Sequence, residues 1–243
     1  MRTLFRLTRA AAVLAAFGLL AAAPAVTADD AKSGWVNLFN GKDLDGWVQR
    51  GGKAKYRAED GQIVGTTVPN TTNSFLCTTK NYADFILDLE FRVDPDLNSG
   101  VQIRSECFDE PKTMEVDQID KDGNKQRKKI TIAAGRVHGY QVEIDPSKRA
   151  WTGGIYDEGR RLWLVNLENN EPARKAFRQN EWNAFHIECK GDSIKTWLNN
   201  VPAVDLRDSM TPTGFIGLQV HQVGKKEEPL EVRFRNLRIK ELK

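Results

Sequence analysis

The 243-residue chain has three cysteines and three histidines, and the two scarcities exclude a good deal. An odd set, Cys77, Cys107 and Cys189, is not a disulfide framework. One bridge with a thiol left over is the most an oxidising compartment would form, and a buried apolar role suits at least one of the three. None stands at metal-ligand spacing. A three-histidine metal site would need all of His138, His186 and His221, and no HExxH motif occurs. Also missing are the GxSxG elbow, the P-loop, a dinucleotide glycine motif after a strand, and any repeat at a solenoid or propeller period. The sequence requires no cofactor and leaves a divalent metal open.

Long apolar runs are equally scarce. The one that stands out, Ala10 to Ala23, follows Arg2, Arg6 and Arg9 and precedes the small residues Val26-Thr27-Ala28. This is the layout of a secretory signal cut after about residue 28. The run is short for a spanning helix, which needs about 20 apolar residues, and no cysteine at the cut offers a lipid anchor. The expected organisation is a signal over 1–28 and a single domain over 29–243, in a bacterial periplasm or outside the cell. The chain has 36 Lys and Arg against 33 Asp and Glu, and three of those arginines belong to the signal, so the remainder is formally balanced. That balance gives no support to nucleic-acid binding, and no membrane partner is expected once the signal is gone. The oligomeric state stays open.

What is present is strand alternation. "DFILDLEFRV" sets Phe85, Leu87, Leu89, Phe91 and Val93 on one side, and "NAFHIECKG" does the same with Phe185, Ile187 and Cys189. "SIKTWLNN" ends in an Asn-Asn pair suited to a tight hairpin. A period of two nearly everywhere, broken by Gly, Asn, Asp and Pro turns, predicts an all-β, two-sheet sandwich. Residues 108–130 depart from this. They are densely charged and read as a solvated, protruding hairpin whose basic run Lys125 to Lys129 is a plain charged surface. Within them "EVDQID" approaches the E-x-D-x-x-E signature of laminarinase-type glycosidases, but the last acid, Asp120, is out of alternation, and we read the match as coincidence.

Three strands bring polar sets to the side away from the core: Gln102 and Arg104; Gln141, Glu143 and Asp145 in "HGYQVEID"; Gln219 and His221. Amides, carboxylates, a guanidinium and an imidazole are partners for sugar hydroxyls, and they include a base, an acid and an oxyanion stabiliser. A curved sheet would make a groove of that face, with the site on rigid strands. The plainer alternative is an ordinary wet face, with Arg104 as a cross-strand partner of Glu143. "RAWTGGIYDEGRRLW" adds Trp151, Tyr156, Asp157 and Trp163 around a Gly-Gly turn, a loop suited either to stacking on sugar rings or to structural packing.

The segments "WVNLFNGKDLDGWV", "EDGQIVG", "NYADFILDLEFRV", "NSGVQIRSE", "HGYQVEID", "TGGIYDEGRR", "EWNAFHIECKG", "TWLNNVPAVDL" and "GFIGLQVH" with "EVRFRNLRIKEL" together resemble the DUF1080 family of 3-keto-glycoside 1,2-lyases, 3-keto-glucal hydratases and 3-keto-disaccharide hydrolases, from about Trp35 to Leu242. The resemblance implies a concanavalin A/laminarinase-like jelly roll. It also implies a small carbohydrate partner, a sugar already oxidised to a ketone at C3. A C3 ketone acidifies the C2 hydrogen, so the chemistry needs a base, a stabiliser for charge on the ketone oxygen and an acid for the C1 leaving group. On that basis Glu143 is the expected base, His221 its competitor for base or acid, and Arg104 the enolate stabiliser. Asn98, Gln141, Asp145, Tyr156, Asp157 and Gln219 are expected to bind the sugar. The competing functions are a non-catalytic carbohydrate-binding module on the same fold and a conventional glycosidase with two suitably spaced carboxylates.

Overall fold

The computed structural model describes residues 33–119 and 124–243; the expected signal over 1–28 lies outside them. Apart from one short helix, the regular elements of the described chain are strands. The back sheet runs, in hydrogen-bonded order, β15 (Val201–Arg207), β14 (Ser193–Leu198), β13 (Asn183–Lys190), β6 (Phe85–Val93), β17 (Glu231–Glu241), β4 (Gln62–Thr66) and β3 (Lys55–Glu59), with β1 (Trp35–Asn37) also on β17. The front sheet runs β12 (Leu162–Val165), β11 (Ile155–Glu158), β10 (Val137–Ile144), β7 (Ser99–Cys107), β16 (Gly214–Val220), β5 (Ser74–Tyr82) and β2 (Trp47–Gly51). All pairings are antiparallel, and a separate two-stranded ribbon joins β8 (Lys112–Ile119) to β9 (Lys125–Ile132). This is the predicted all-β sandwich of the jelly-roll type.

Alternation decides which side chains meet between the sheets. Phe85, Leu87, Leu89 and Phe91 of β6 and Phe185, Ile187 and Cys189 of β13 face Val101 and Ile103 of β7, Tyr140, Val142 and Ile144 of β10, and Ile216 and Leu218 of β16 in one continuous core. Fully burying a side chain of this size stabilises by about 1.5–3 kcal/mol. The β14–β15 hairpin turns on Asn199 and Asn200, with φ of 50° and 66°, the left-handed pair a two-residue hairpin demands. Helix α1 (Glu171–Ala176) is capped by the Asn170 side chain, which accepts from Ala173 N. None of the helices among the described residues is long and apolar enough to cross a membrane.

The predicted protruding hairpin is the β8–β9 ribbon. Its acids are paired within the ribbon: Arg127 reaches Glu115 and Asp117, and Lys125 reaches Asp117. The glycosidase-like "EVDQID" is therefore a self-neutralised ribbon edge as far as Ile119, and Asp120 lies outside the described residues.

One local distortion positions the site. Pairing between β10 and β7 passes from His138↔Glu106 to Tyr140↔Ile103, so the single residue Gly139 stands opposite both Arg104 and Ser105. This is a β-bulge on β7. Arg104 takes φ +45° and Gly139 φ +134°. A Cβ at Gly139 would stand 2.5 Å from Ser105 Oγ and 2.8 Å from Ser105 Cα, so only glycine fits there.

Candidate functional site

The outer face of the front sheet is polar but largely buried. Part of it is a small apolar cluster of Phe75, Cys77, Val137 and Phe215, standing on the strands themselves, with Cys107 packed against it. Phe108 meets His138 at a tilt, with ring centroids 4.4 Å apart. At this cluster lies a cavity of about 610 Å³, with Asn73, Phe75 and Gln222 on one bank and Arg136, Val137 and Glu158 on the other. Glu143 stands opposite Gly100, and Gln219 stands opposite Phe75. Continuing the β16–β7 register from Leu218↔Val101, Glu143, Gly100, Gln219 and Phe75 form one row across the sheet.

Glu143 is 5% exposed. Its Oε1 accepts from Asn98 Nδ2 at 2.7 Å and its Oε2 from Gln141 Nε2 at 2.8 Å. Burial pushes its carboxyl up to about 7. The Asn98 and Gln141 bonds oppose the rise, the Asp145 charge adds to it, and Arg149 reduces it. A carboxyl that changes charge near neutral pH is suited to proton transfer.

The β10–β11 loop supplies the surroundings of Glu143. Asp145 organises it: its carboxylate accepts from Ser147 N, Arg149 Nε and Trp151 N. Burial alone would raise Asp145, but these bonds hold it below the usual carboxylate range. Arg149, so anchored, passes 3.8 Å from Glu143 Oε1 and lies over the rings of Trp151 and Trp163, 4.6 and 5.2 Å from their centroids. Trp163 meets Trp151 and Tyr156 edge-on at 4.9 and 5.3 Å. The result is an aromatic corner with a cation at its edge, beside the buried base.

The structure thus brings together Glu143, Asn98, Gln141, Asp145 and Tyr156. Gln141 is tied to its neighbours at both ends of its amide: Nε2 donates to Glu143, and Oε1 accepts from Gln102. Gln219 lies on the floor, wholly buried, with no partner for its amide among the described residues. His221 follows β16 on the same side as Gln219, partly exposed at the rim, with Nδ1 2.9 Å from Gln222 O. No hydrogen bond or ion pair among the described residues joins it to Glu143.

Two expected site residues are elsewhere. The bulge turns Arg104 to the inner side, where its guanidinium donates to Ala83 O at 2.6 Å, Gly191 O at 2.7 Å and Asp84 Oδ1 at 2.9 Å. It ties the front sheet to the back one and is not beside Glu143, so it is not the enolate stabiliser. Asp157 pairs directly with Tyr140, an inner-face residue. There it accepts from Arg160 and Arg161, which reach on to Thr211 and Asp208. Its place in "IYDE" puts it on the core side, and its neighbours Tyr156 and Glu158 face the groove.

The residues not anticipated are Arg149, Glu158 and Arg136. Burial raises the Glu158 carboxyl against the pull of Arg136, whose Nη2 is 3.9 Å away. Alternation with Tyr156 was the signal for Glu158, and the four-residue spacing from Asp145 was the signal for Arg149. Among the described residues no cluster of three or more His, Cys, Asp or Glu is arranged to hold a metal. His138 is buried against Phe108, and His186 sits on the back sheet between Asp88 and Glu188.

Solved structures share this architecture. A putative glycosyl hydrolase from Parabacteroides distasonis matches with a TM-score of 0.57 at 20% identity, over 90% of this chain and 99% of its own. The carbohydrate-binding module CBM66 from Bacillus subtilis matches at 0.51 and 16% identity, over 80% and 95%. A Bacillus subtilis protein of unknown function with a galectin-like fold matches at 0.54 and 9%, over 82% and 90%. At these identities the likeness is one of fold alone, a two-sheet β-sandwich. No curated protein matches the chain. A family description does match, over residues 34–240, and the chain belongs to the family of 3-keto-alpha-glucoside-1,2-lyase-like domains.

Proposed function

We propose that the chain is an exported enzyme that cleaves 3-keto-glycosides by elimination across C1 and C2, with Glu143 as the base. The observation that carries this reading is the Glu143 carboxyl: 5% exposed, hydrogen-bonded by two amides, and held by burial at about 7. Glu143 takes the C2 proton, and the C–H electron pair becomes the enolate of the C3 ketone. Arg149, 3.8 Å from Glu143, is the cation at hand for the charge on the ketone oxygen, the role that Arg104 does not fill. As the ketone reforms, C1=C2 forms, the C1–O bond breaks and the leaving oxygen takes a proton. His221 at the rim is the candidate donor; Glu158, about 13 Å along the sheet from Glu143 by strand rise, is too far to act on the same C1–C2 unit. Water added across C1=C2 returns the 3-keto sugar, so the sum is hydrolysis. Trp151, Trp163 and Tyr156 offer the sugar an aromatic corner.

A retaining glycosidase is poorly served by these carboxylates, which would need to stand about 5–5.5 Å apart. Glu158 pairs with Gly139, four residues along β10 from Glu143, about 13 Å by strand rise. Asp145 has its oxygens committed to the loop.

The test is incubation with 4-nitrophenyl 3-keto-glucoside and with 3-keto-trehalose, following enone absorbance and the released alcohol, with the unoxidised glycosides as controls. The wild type should release product only from the 3-keto compounds, and Glu143→Gln should lose about 10²–10⁴-fold in rate. Binding without release by the wild type would favour the carbohydrate-binding module, for which the aromatic corner is the supporting observation. The export reading, with a signal over 1–28, is tested by sequencing the mature amino terminus.

A further inference from the structure

Glu143 ends a chain of buried groups that runs away from the groove. Ser105 Oγ is 2.6 Å from Gln102 Oε1, Gln102 Nε2 donates to Gln141 Oε1 at 2.7 Å, and Gln141 Nε2 donates to Glu143 Oε2 at 2.8 Å. Ser105 and Gln102 are wholly buried, and Gln141 is 2% exposed. Gln102 and Gln141 are direct cross-strand partners. A Cβ at Gly100 would come within 2.5 Å of Gln141 Cδ, so the bare backbone there makes room for the Gln141 amide.

Strict alternation would put Ser105, three residues after Gln102, on the core side. The bulge that turns Arg104 inward brings Ser105 back to the outer side. We infer that the buried chain Ser105–Gln102–Gln141 sets the base strength of Glu143, making Gln102 and Ser105 positioning residues although neither is exposed in the groove. The inference rests on the reading of Glu143 as the base.

The physical reason is polarisation. An amide whose carbonyl accepts a hydrogen bond donates a stronger one from its nitrogen, and the effect accumulates along a chain in a low-dielectric interior. At the carboxylate end this favours the charged form and works against the burial that disfavours it. The charged and titratable groups facing Glu143 come from the β10–β11 loop and β11: Asp145, Arg149 and Tyr156. The groups nearest it from β7 and the residue before it, namely Asn98, Gly100 and Gln102, bear no charge. The chain therefore acts on Glu143 through neutral donors alone, in addition to Arg149, whose Nη2 lies 3.8 Å from Oε1.

The experiment reads the Glu143 carboxyl directly. Glu143 is assigned in carbon-13 glutamate-labelled protein by loss of its signal in Glu143→Gln, then titrated by NMR without substrate in wild type, Gln102→Leu and Ser105→Ala. Gln102→Leu should raise the midpoint by about 0.3 pH unit, and Ser105→Ala should raise it less. The low-pH limb of kcat/KM on a 3-keto-glucoside should move with each, with the high-pH plateau and KM little changed. An unmoved midpoint in both variants, or a uniform loss of activity with the limb in place, would overturn the inference. Should Gln102→Leu not fold, Ser105→Ala, the smaller change, decides by the same midpoint. If the midpoints move as expected but Glu143→Gln keeps full activity, the chain's control of Glu143 stands and the base assignment falls.

Discussion

The two outer faces of the sandwich are made of the same residue types and behave oppositely. On the back sheet Arg57, Glu59, Glu231 and Arg233 interlock, Arg235 pairs with Glu90, and Arg238 pairs with Asp88. Hydrogen bonds from Arg57 and Arg233 hold Glu59 below its usual range, and the same arginines do so for Glu231 despite the opposing effect of burial. On the front sheet Glu143 and Glu158 are raised by burial. The difference lies in partner and cover. The back face meets Glu59, Glu90, Glu231 and Asp88 with guanidiniums and leaves them partly in water. The front face gives Glu143 its hydrogen bonds from two amides, with the Arg149 guanidinium further off at 3.8 Å. A neutral donor can orient a carboxylate without fixing its charge, and a site for proton transfer needs that freedom.

This contrast can be pressed from both sides. The largest structural loss should come from Arg104→Ala, which leaves Asp84 and two carbonyls without their buried donor. A loss of about 2–4 kcal/mol is expected, mainly from the space left by a wholly buried side chain, measured by urea denaturation, and the Glu143 midpoint in the folded fraction should stay near wild type. A Glu143 midpoint that moved with it would mean that Arg104 acts on the site after all.

The next effect is pH-dependent. The folded carboxyl of Glu143 titrates at about 7, against an ordinary value of 4.5. Between those values the folded state binds more protons than the unfolded one, so this group's contribution to stability falls as pH rises from about 4.5 through 7. The full cost, on the order of a few kcal/mol, is present above 7. Glu143→Gln should therefore gain stability relative to wild type at pH 8 and not at pH 4, and equal differences at the two values would contradict it. The smallest effect belongs to the back face. Glu90→Gln should cost about 1 kcal/mol or less at either pH, and a cost of several kcal/mol there would erase the distinction between the faces.

How much of this was legible before the structure depends on where alternation survives. In "YQVEID" it holds throughout, so Tyr140, Val142 and Ile144 face in, and Gln141, Glu143 and Asp145 face out. In "GVQIRS" it holds through Ile103 and fails at the next residue, because a bulge is a property of the paired strands and leaves little trace in one of them. Gly139, the residue that permits it, is 35 positions away from Arg104. Asp157 was misplaced for a different reason: four residues of "IYDE" carry no apolar majority to set the phase, and the cross-strand partner Tyr140 decides it. Arg149 was hidden because its approach to Glu143 depends on the turn that Asp145 organises.

The kink opposite Gly139 also bears on how this protein can change. One backbone irregularity sends Arg104 to lock the sheets and returns Ser105 to the head of the amide chain, so strength of assembly and tuning of the base share a single point of origin. Substitutions at 104, 105 and 139 should be strongly non-additive. A variant selected for heat resistance by straightening that strand would shift its working pH as a by-product, and one selected for a new working pH there would melt differently.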